Sequence, residues 1–417
     1  MSAYASKFLR TLDERGYIKQ VTHTDELDTY CAGPAPSAYI GYDATANSLH
    51  VGSLVSIMML RKFQQSGGKP IVLMGGGTTK IGDPTDKEKS RPILSEDEIN
   101  ANIKSIKTAF EPFLQFGDGP TDAIIVNNDD WLSHLGYIQF LREIGRYFSI
   151  NTMVKQETVA RRLKNEQPYS FLEFNYLLLQ SYDFLELYRR HKCQLQIGGS
   201  DQWGNIVGGV DLIHKAESAQ AFGLTCPLIT TASGGKMGKT ATGAVWLNGD
   251  RCSPYDYWQF WRNTEDADVG RFLKMFTDLS LAEIAELEKL EGAEINTAKI
   301  ALANAATALL HGEAAAQAAD SAAQKAFADG GVSQDLPTFQ INRAEYPDGP
   351  LTISLLRVAG LVASNGEGRR KLKEGAVRIN DEKILDERNH NWDDVLDTVG
   401  AFKVQIGKKR IALVHPD

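Results

Sequence analysis

Between residues 37 and 77 the sequence runs strand, helix, strand, and that order commits the chain to a parallel sheet. Ser37-Ala38-Tyr39-Ile40-Gly41-Tyr42-Asp43-Ala44 reads as a strand and its exit. Val51 to Gln65 reads as a helix that is apolar nearly all round, which fits a helix laid on a sheet and covered by other elements. Gly67-Gly68 ends it, and Pro70-Ile71-Val72-Leu73-Met74 reads as the next strand, leaving through Gly75-Gly76-Gly77. In the parallel sheet of such a βαβ unit, ligands collect at the carboxyl ends of the strands. Tyr39, His50 and Asp83 fall at that end.

A second α/β segment follows. Gln194-Leu195-Gln196-Ile197 reads as a strand, Gly198 to Gln202 as its exit loop, and the residues from about Trp203 as a helix. Leu228-Ile229-Thr230 reads as a further strand before a Gly-rich loop. From about Ser253 the texture turns helical, and 297–328 is rich in Ala, which favours helix. Asp329-Gly330-Gly331 and the polar stretch to Gly349-Pro350 read as a linker. Beyond it, Leu355, Val358, Ala359 and Leu361 mark one helix and Gly366 to Lys373 another. Ala376 to Asn380 then reads as a strand, with Asn380-Asp381 as its turn. The expected division is a Rossmann-like α/β catalytic domain over 1–248, a helical domain over 249–335, a linker over 336–349 and a small α+β domain over 350–417.

The net charge of −8 argues against a chain coated for nucleic acid, but the charge is unevenly spread. Residues 351–417 carry 12 Lys+Arg and 10 Asp+Glu, a net of +2, which leaves the rest near −10. A relatively basic tail on an acidic body suggests a small RNA-facing module. Cys31, Cys193, Cys226 and Cys252 show neither CxxC nor metal-ligand spacing, so they read as buried thiols and no protein metal site is expected. No stretch is apolar enough to span a membrane and the start of the chain has no apolar leader. The expectation is a cytoplasmic protein without membrane contact.

Two short motifs carry the chemistry. Ser48-Leu49-His50-Val51-Gly52-Ser53-Leu54 sits where a strand gives way to a helix. A helix N-terminus favours phosphate, His50 can donate to a phosphate oxygen, and Gly52 lets a flat base approach the backbone. Lys236-Met237-Gly238-Lys239-Thr240, in a Gly-rich loop, offers two ammonium groups to a pyrophosphate leaving group. Taken singly, the first could be a capping histidine with a packing glycine and the second a solvated turn. Together, in this order, they suit transfer of an adenylyl group from ATP.

With these motifs the sequence resembles class I aminoacyl-tRNA synthetases, and among them the bacterial tyrosyl-tRNA synthetases. The resemblance runs through Tyr39-Ile40-Gly41-Tyr42-Asp43, Gly82-Asp83-Pro84, Phe174 to Asp183, Gln196 to Asn205, Ser253-Pro254-Tyr255 and Gln259-Phe260-Trp261, and covers nearly the whole chain. It implies that Tyr39 and Asp183 bind the phenol hydroxyl of tyrosine, which can donate to Asp183 and accept from Tyr39. It implies an ammonium pocket from Asp83, Tyr176 and Gln180, with Asp43 nearby, Gln202 toward the carboxyl side and Gln196 behind the pocket. Tyr176, Gln180 and Asp183 are spaced to share one helix face. For ATP it implies Gly41, His50, Gly52, Gly199, Asp201, Lys236 and Lys239, with Thr45 joining His50 at the γ-phosphate and Thr240 beside the lysines. Lys87 and Arg91 match a loop over pyrophosphate, although a solvated charge run fits those residues equally well. The tail resembles an S4 RNA-binding domain, with Arg369, Arg370, Lys371, Lys373 and Arg378 on its RNA face. The helical middle is expected to hold the anticodon region of the tRNA.

The resemblance further implies the substrates L-tyrosine, ATP with Mg2+ and tRNA(Tyr), and a homodimer. Three departures concern ATP: Ser53 stands where the family usually has a second His, Ala44 where it has Pro, and Ile40 where it often has Cys. Three rivals remain at this point. They are a tryptophanyl-tRNA synthetase, a small-molecule adenylyl or cytidylyl transferase, and an RNA-binding protein with a decayed synthetase domain. Intact His50, Lys236, Lys239, Asp83 and Gln180 argue against the last.

Overall fold

A computed structural model describes residues 3–85, 94–235, 237–240, 243–328, 338–346, 349–392, 396, 402–407 and 410–416. The chain divides into two compact units. The first runs to Gly238 and adds Trp246–Asn248 and Gly270–Phe276. The second comprises Lys239–Val245, Gly249–Val269 and Thr277 onward.

The first unit is built on a six-stranded sheet. Its strands are β1 (Gln20–Val21), β2 (Ser37–Tyr42), β3 (Lys69–Met74), β4 (Ile124–Asn127), β5 (Leu195–Gly199) and β6 (Phe222–Cys226), in the spatial order β1-β6-β5-β2-β3-β4. All neighbours are parallel except β1, which pairs antiparallel with β6 at one edge. Pro70 to Met74 is buried at every position, as expected for a strand covered on both faces. The Val51–Gln65 helix covers β2 and β3 with Leu54, Ile57, Met58 and Phe63 all buried. The chain leaves β2 outward through β3 and β4, then returns to β5 on the other side of β2. Strand order therefore reverses between β2 and β5, and a crevice opens at their carboxyl ends.

The strand expected at Leu228–Thr230 does not form. The strand lies instead at Phe222–Cys226, where all five residues are buried, and Pro227, which has no N–H for the ladder, follows it at once.

In the second unit the Pro254–Arg262, Ile295–His311 and Glu313–Ala328 helices pack through buried alanines, Ala298, Ala303, Ala306, Ala319 and Ala322 among them. One polar thread crosses all three: Trp258 Nε1 donates to Asn304 Oδ1 at 2.6 Å, and Asn304 Nδ2 donates to Asp320 Oδ2 at 3.0 Å. A hairpin joins β7 (Lys239–Thr240) to β8 (Gly243–Ala244). The C-terminal sheet contains β9 (Thr338–Ile341), β10 (Val377–Ile379), β11 (Glu382–Ile384), β12 (Phe402–Ile406) and β13 (Arg410–Pro416), in the order β11-β10-β12-β13-β9. The Thr352–Val358 and Asn365–Lys373 helices close its core with Ile353, Leu355, Leu356 and Leu372. Asn380 and Asp381 make the two-residue turn between β10 and β11, with φ of 45° and 69°, the left-handed pair that matches strand twist. β9 lies inside the stretch expected to be a linker, because Thr338–Ile341 adds as a parallel edge strand to β13.

Candidate active site

The crevice between β2 and β5 holds a cavity of about 520 Å³. Its deep end is set by Tyr39 on β2 and Asp183 on the Tyr176–His191 helix, both buried. The Tyr39 hydroxyl has no hydrogen-bond partner. A buried hydroxyl without a partner costs free energy that a ligand atom can recover. The Asp183 carboxylate is gripped from the protein side: Asn128 Nδ2 donates to Oδ2 at 2.9 Å and Trp131 Nε1 to Oδ1 at 2.7 Å. Burial pushes the Asp183 carboxyl up to about 7, against the pull of those two hydrogen bonds, and the Asp43 and Glu186 charges add to the rise. Burial also raises the Tyr39 phenol well above its ordinary value, and the Asp183 charge raises it further. Gln196, on β5, is buried in the same wall and its Oε1 lacks a partner.

The opposite end of this pocket is polar. Tyr176 donates its hydroxyl to Asp43 Oδ2 at 3.2 Å, and Thr78 Oγ1 donates to Asp43 Oδ1 at 2.9 Å. Burial, followed by the Asp43 charge, raises the Tyr176 phenol well above its ordinary value. Gln202 donates to Asp83 Oδ2 at 2.9 Å and accepts from Gln180 Nε2 at 3.3 Å. Tyr176, Gln180 and Asp183 do share one helix and all line the cavity, so a single helix faces both ends of it.

The cavity's other lobe follows the Val51 helix. His50 caps that helix, with Nδ1 accepting from the Gly52 N–H at 2.9 Å. That bond leaves the proton of the neutral ring on Nε2. Gly41, Thr45, Gly199 and Asp201 line the same cavity, as do Ile40 and Ser53, two of the three departures noted above. A Cβ on Gly52 would lie 2.6 Å from His50 Cε1 and 3.2 Å from the Met237 carbonyl oxygen. Gly238, at φ +80°, would bring a Cβ to 2.8 Å from the Gly52 nitrogen. The two motifs thus meet backbone to backbone at two glycines, and the protein's own packing leaves no room for a side chain at Gly52. Lys87, Arg91 and Lys236 lie outside the described residues, and so do the side chains of Lys239 and Thr240.

Four residues of this site were not picked out by sequence: Thr78, Asn128, Trp131 and Trp246, which lines the cavity with its ring 6.3 Å from that of His50. Asn128 and Trp131 follow β4, and the run Ile124-Ile125-Val126 before Asn127-Asn128 was the signal for that strand. In the C-terminal module Arg369, Arg370, Lys371 and Lys373 share the Asn365–Lys373 helix, and Arg378 points outward from β10. Lys371 pairs with Glu374 at 2.7 Å and Arg369 with Glu387 at 3.5 Å, while Lys373 is exposed.

A family profile described as tRNA synthetases class I (W and Y) matches residues 33–328. The chain belongs to this synthetase family. Two of this synthetase's relatives match it from end to end. The tyrosine–tRNA ligase of Caulobacter vibrioides (strain NA1000 / CB15N) is 59% identical, over 100% of this chain and 99% of its own. That of Novosphingobium aromaticivorans is 56% identical over 100% of both. Among solved structures, a C-terminally truncated mitochondrial tyrosyl-tRNA synthetase of Aspergillus nidulans superposes with a TM-score of 0.70 at 30% identity, over 77% of this synthetase and 94% of its own chain.

Proposed function

We propose that the protein activates L-tyrosine with ATP and transfers it to tRNA. The observation that carries this reading is the pair at the deep end of the cavity. An orphan buried hydroxyl on Tyr39 and a buried acceptor, Asp183, line the same cavity. A phenol hydroxyl satisfies both, donating to Asp183 and accepting from Tyr39. Phenylalanine would leave the Tyr39 hydroxyl unpaired and bring Asp183 no donor, and an indole N–H can only donate. The full-length likeness to tyrosine–tRNA ligases supports the same substrate.

In the first step the tyrosine carboxylate attacks the α-phosphorus of ATP, and the bond to pyrophosphate breaks. The nucleophile comes from the substrate, so the protein contributes positioning and charge stabilisation. Asp83, Tyr176 and Gln180 would hold the ammonium group, with Asp43 fixing the Tyr176 hydroxyl, Gln196 backing the phenol pocket and Gln202 orienting the carboxylate. Gly41, Gly52, Gly199 and Asp201 would hold the nucleoside. Thr45 and the Nε2–H of His50 would donate to phosphate oxygens, with Lys87, Arg91, Lys236, Lys239 and Thr240 on the pyrophosphate side. In the second step a ribose hydroxyl of the tRNA terminal adenosine attacks the tyrosyl carbonyl, and AMP leaves.

Magnesium would enter with ATP as part of that substrate. Among the described residues there is no group of three or more His, Cys, Asp or Glu that could hold an ion of its own. The helical segment over 249–335 would face the anticodon region. The C-terminal module would meet tRNA phosphates through Arg369, Arg370, Lys371, Lys373 and Arg378, giving salt-sensitive binding directed by RNA shape. Tyr137, Ile138, Ile150 and Phe171, exposed on the first unit, would be available to a homodimer interface. The substrates point to a cytoplasmic site of action, and no helix among the described residues is long and apolar enough to cross a membrane.

Tyrosine-dependent exchange between ATP and pyrophosphate tests the reading, with tryptophan and phenylalanine in parallel and Asp183→Ala as the control. Exchange with tyrosine alone, abolished in the variant, is expected. Exchange with tryptophan instead would replace the substrate, and no exchange at all would sink the reading.

A further inference from the structure

The loop from Ala44 to His50 carries Thr45 and His50 to the cavity, and one helix holds both of its ends. At its start, Asn102 Nδ2, on the Glu96–Thr108 helix, donates to the Ala44 carbonyl at 2.9 Å. At its end the connection runs through Asn248, far along the chain. Asn248 Oδ1 accepts from Ser48 Oγ at 2.6 Å, and its backbone N–H donates to the same oxygen at 3.3 Å. Its Nδ2 donates to the Ser105 carbonyl at 3.2 Å and to Thr108 Oγ1 at 3.1 Å, at the last turn of the same helix. The two residues before Asn248 are stitched to the motif as well. Leu247 N–H donates to the Leu49 carbonyl at 2.8 Å, and Trp246 forms an antiparallel bridge with His50 itself.

We propose that Asn248 is a positioning residue for adenylyl transfer, one that sets the place of His50 at the ATP phosphates by clamping Ser48 to the Glu96–Thr108 helix. The inference rests on the tyrosine activation reading. All four hydrogen-bonding positions that Asn248 uses lead either to Ser48 or to that helix, and Ser48 stands two residues from the histidine. Ser48 is itself buried, so its hydroxyl has little water to fall back on when the clamp is removed. His50 has little freedom of its own to compensate, because Nδ1 is already committed to the Gly52 N–H. Its ring moves only as the backbone at residues 48–50 moves. A displacement of about 1 Å at a group that acts in the transition state can slow a reaction about 100-fold. Tyr39 stands on β2 and Asp183 is held by Asn128 and Trp131, whereas Asn248 bonds to Ser48, Ser105 and Thr108. The effect should therefore fall on turnover and spare tyrosine binding.

The test measures tyrosine-dependent ATP–pyrophosphate exchange for the wild type, Asn248→Ala, Ser48→Ala, His50→Ala and the double variant Asn248→Ala/His50→Ala. Wild-type exchange decides the activation reading separately from this proposal. The expected result is a kcat lowered about 10- to 100-fold in Asn248→Ala, a tyrosine KM within about twofold of wild type and a lowered Tm. Ser48→Ala should show the same split, and it decides the question if Asn248→Ala fails to fold. The double variant should be no more than about twofold slower than His50→Ala alone, because Asn248 acts only through that ring. Wild-type kcat in both single variants would overturn the proposal. So would losses that multiply with that of His50→Ala, or a loss confined to tyrosine KM.

Discussion

Replacing Asp183 by Asn should stabilise the ligand-free protein at high pH and forfeit that advantage as the pH falls. Burial lifts the Asp183 carboxyl from its ordinary 3.8 to about 7. Three pH units, at about 1.4 kcal/mol each, correspond to about 4 kcal/mol of instability when the group is ionised. The unfolded chain loses this proton near pH 4 and the folded chain holds it until about pH 7. Between those values the folded state carries the extra proton, so stability declines as pH rises, with no cost below about pH 4 and the full cost above about pH 7. The amide brings a cost of its own that does not depend on pH. Asn128 and Trp131 each donate to a separate oxygen of Asp183, and an amide has only one to offer. The N–H left facing an NH₂ group costs about 1–3 kcal/mol. Asp183→Asn should therefore gain about 1–3 kcal/mol over wild type at pH 8. Because the amide clash cancels on comparing two pH values, the variant's advantage should shrink by about 3 kcal/mol between pH 8 and pH 4.5. Urea unfolding of both proteins at the two pH values measures it. A difference between them that stays constant to about 0.5 kcal/mol would refute the account of a carboxylate held ionised against its burial. The same variant should lose about 10- to 100-fold in kcat/KM for tyrosine, the worth of a hydrogen bond to a charged group.

Tyr39→Phe removes a hydroxyl that has no protein partner, so its Tm should match or slightly exceed that of wild type, while kcat/KM for tyrosine drops about 3- to 10-fold in the exchange assay. Gly238→Ala places a Cβ 2.8 Å from the Gly52 nitrogen at a φ of +80°; calorimetry should show about 1–3 kcal/mol of lost stability, and exchange should slow with it. Lys373→Ala should leave exchange unchanged, weaken tRNA binding and reduce by about one the slope of log affinity against log salt, as one lost phosphate contact requires.

What could be read in the sequence follows from how local each cause is. The Val51–Gln65 helix and β3 were legible because their apolar runs and glycine stops lie within a few residues of one another. The helical face shared by Tyr176, Gln180 and Asp183 needed only a spacing of three and four. β6 was displaced onto Leu228–Thr230, since an unbroken buried run such as Phe222-Gly223-Leu224-Thr225-Cys226 carries no alternation to mark its register. β9 was hidden among turn-forming residues, and only its pairing with β13 makes it a strand. In the site, Asn128 and Trp131 could not be found before β4 was placed, and the grip they apply to Asp183 spans 55 and 52 residues. Gly52 was singled out for room beside a base, whereas a Cβ there would meet the His50 ring at 2.6 Å and the Met237 carbonyl at 3.2 Å, the latter through a contact that no local pattern reveals.

The residues that sequence did not supply also join the two ends of the pocket. Asn128 Nδ2 donates both to Asp183 and, at 3.0 Å, to Thr78 Oγ1. Thr78 passes its own proton to Asp43, and Asp43 in turn accepts from Tyr176. A continuous line of hydrogen bonds thus runs from the carboxylate at the deep end to the hydroxyl at the polar end. Burial lifts the Asp183 carboxyl, the Asp43 charge adds to the rise, and two carboxylates so close favour a cation in the pocket. A substrate that brings a hydroxyl proton to one end and an ammonium group to the other meets what each end lacks. Guanidinium or ammonium partners in place of Asn128 and Thr78 would make the empty protein more stable and remove the reason for tyrosine to bind.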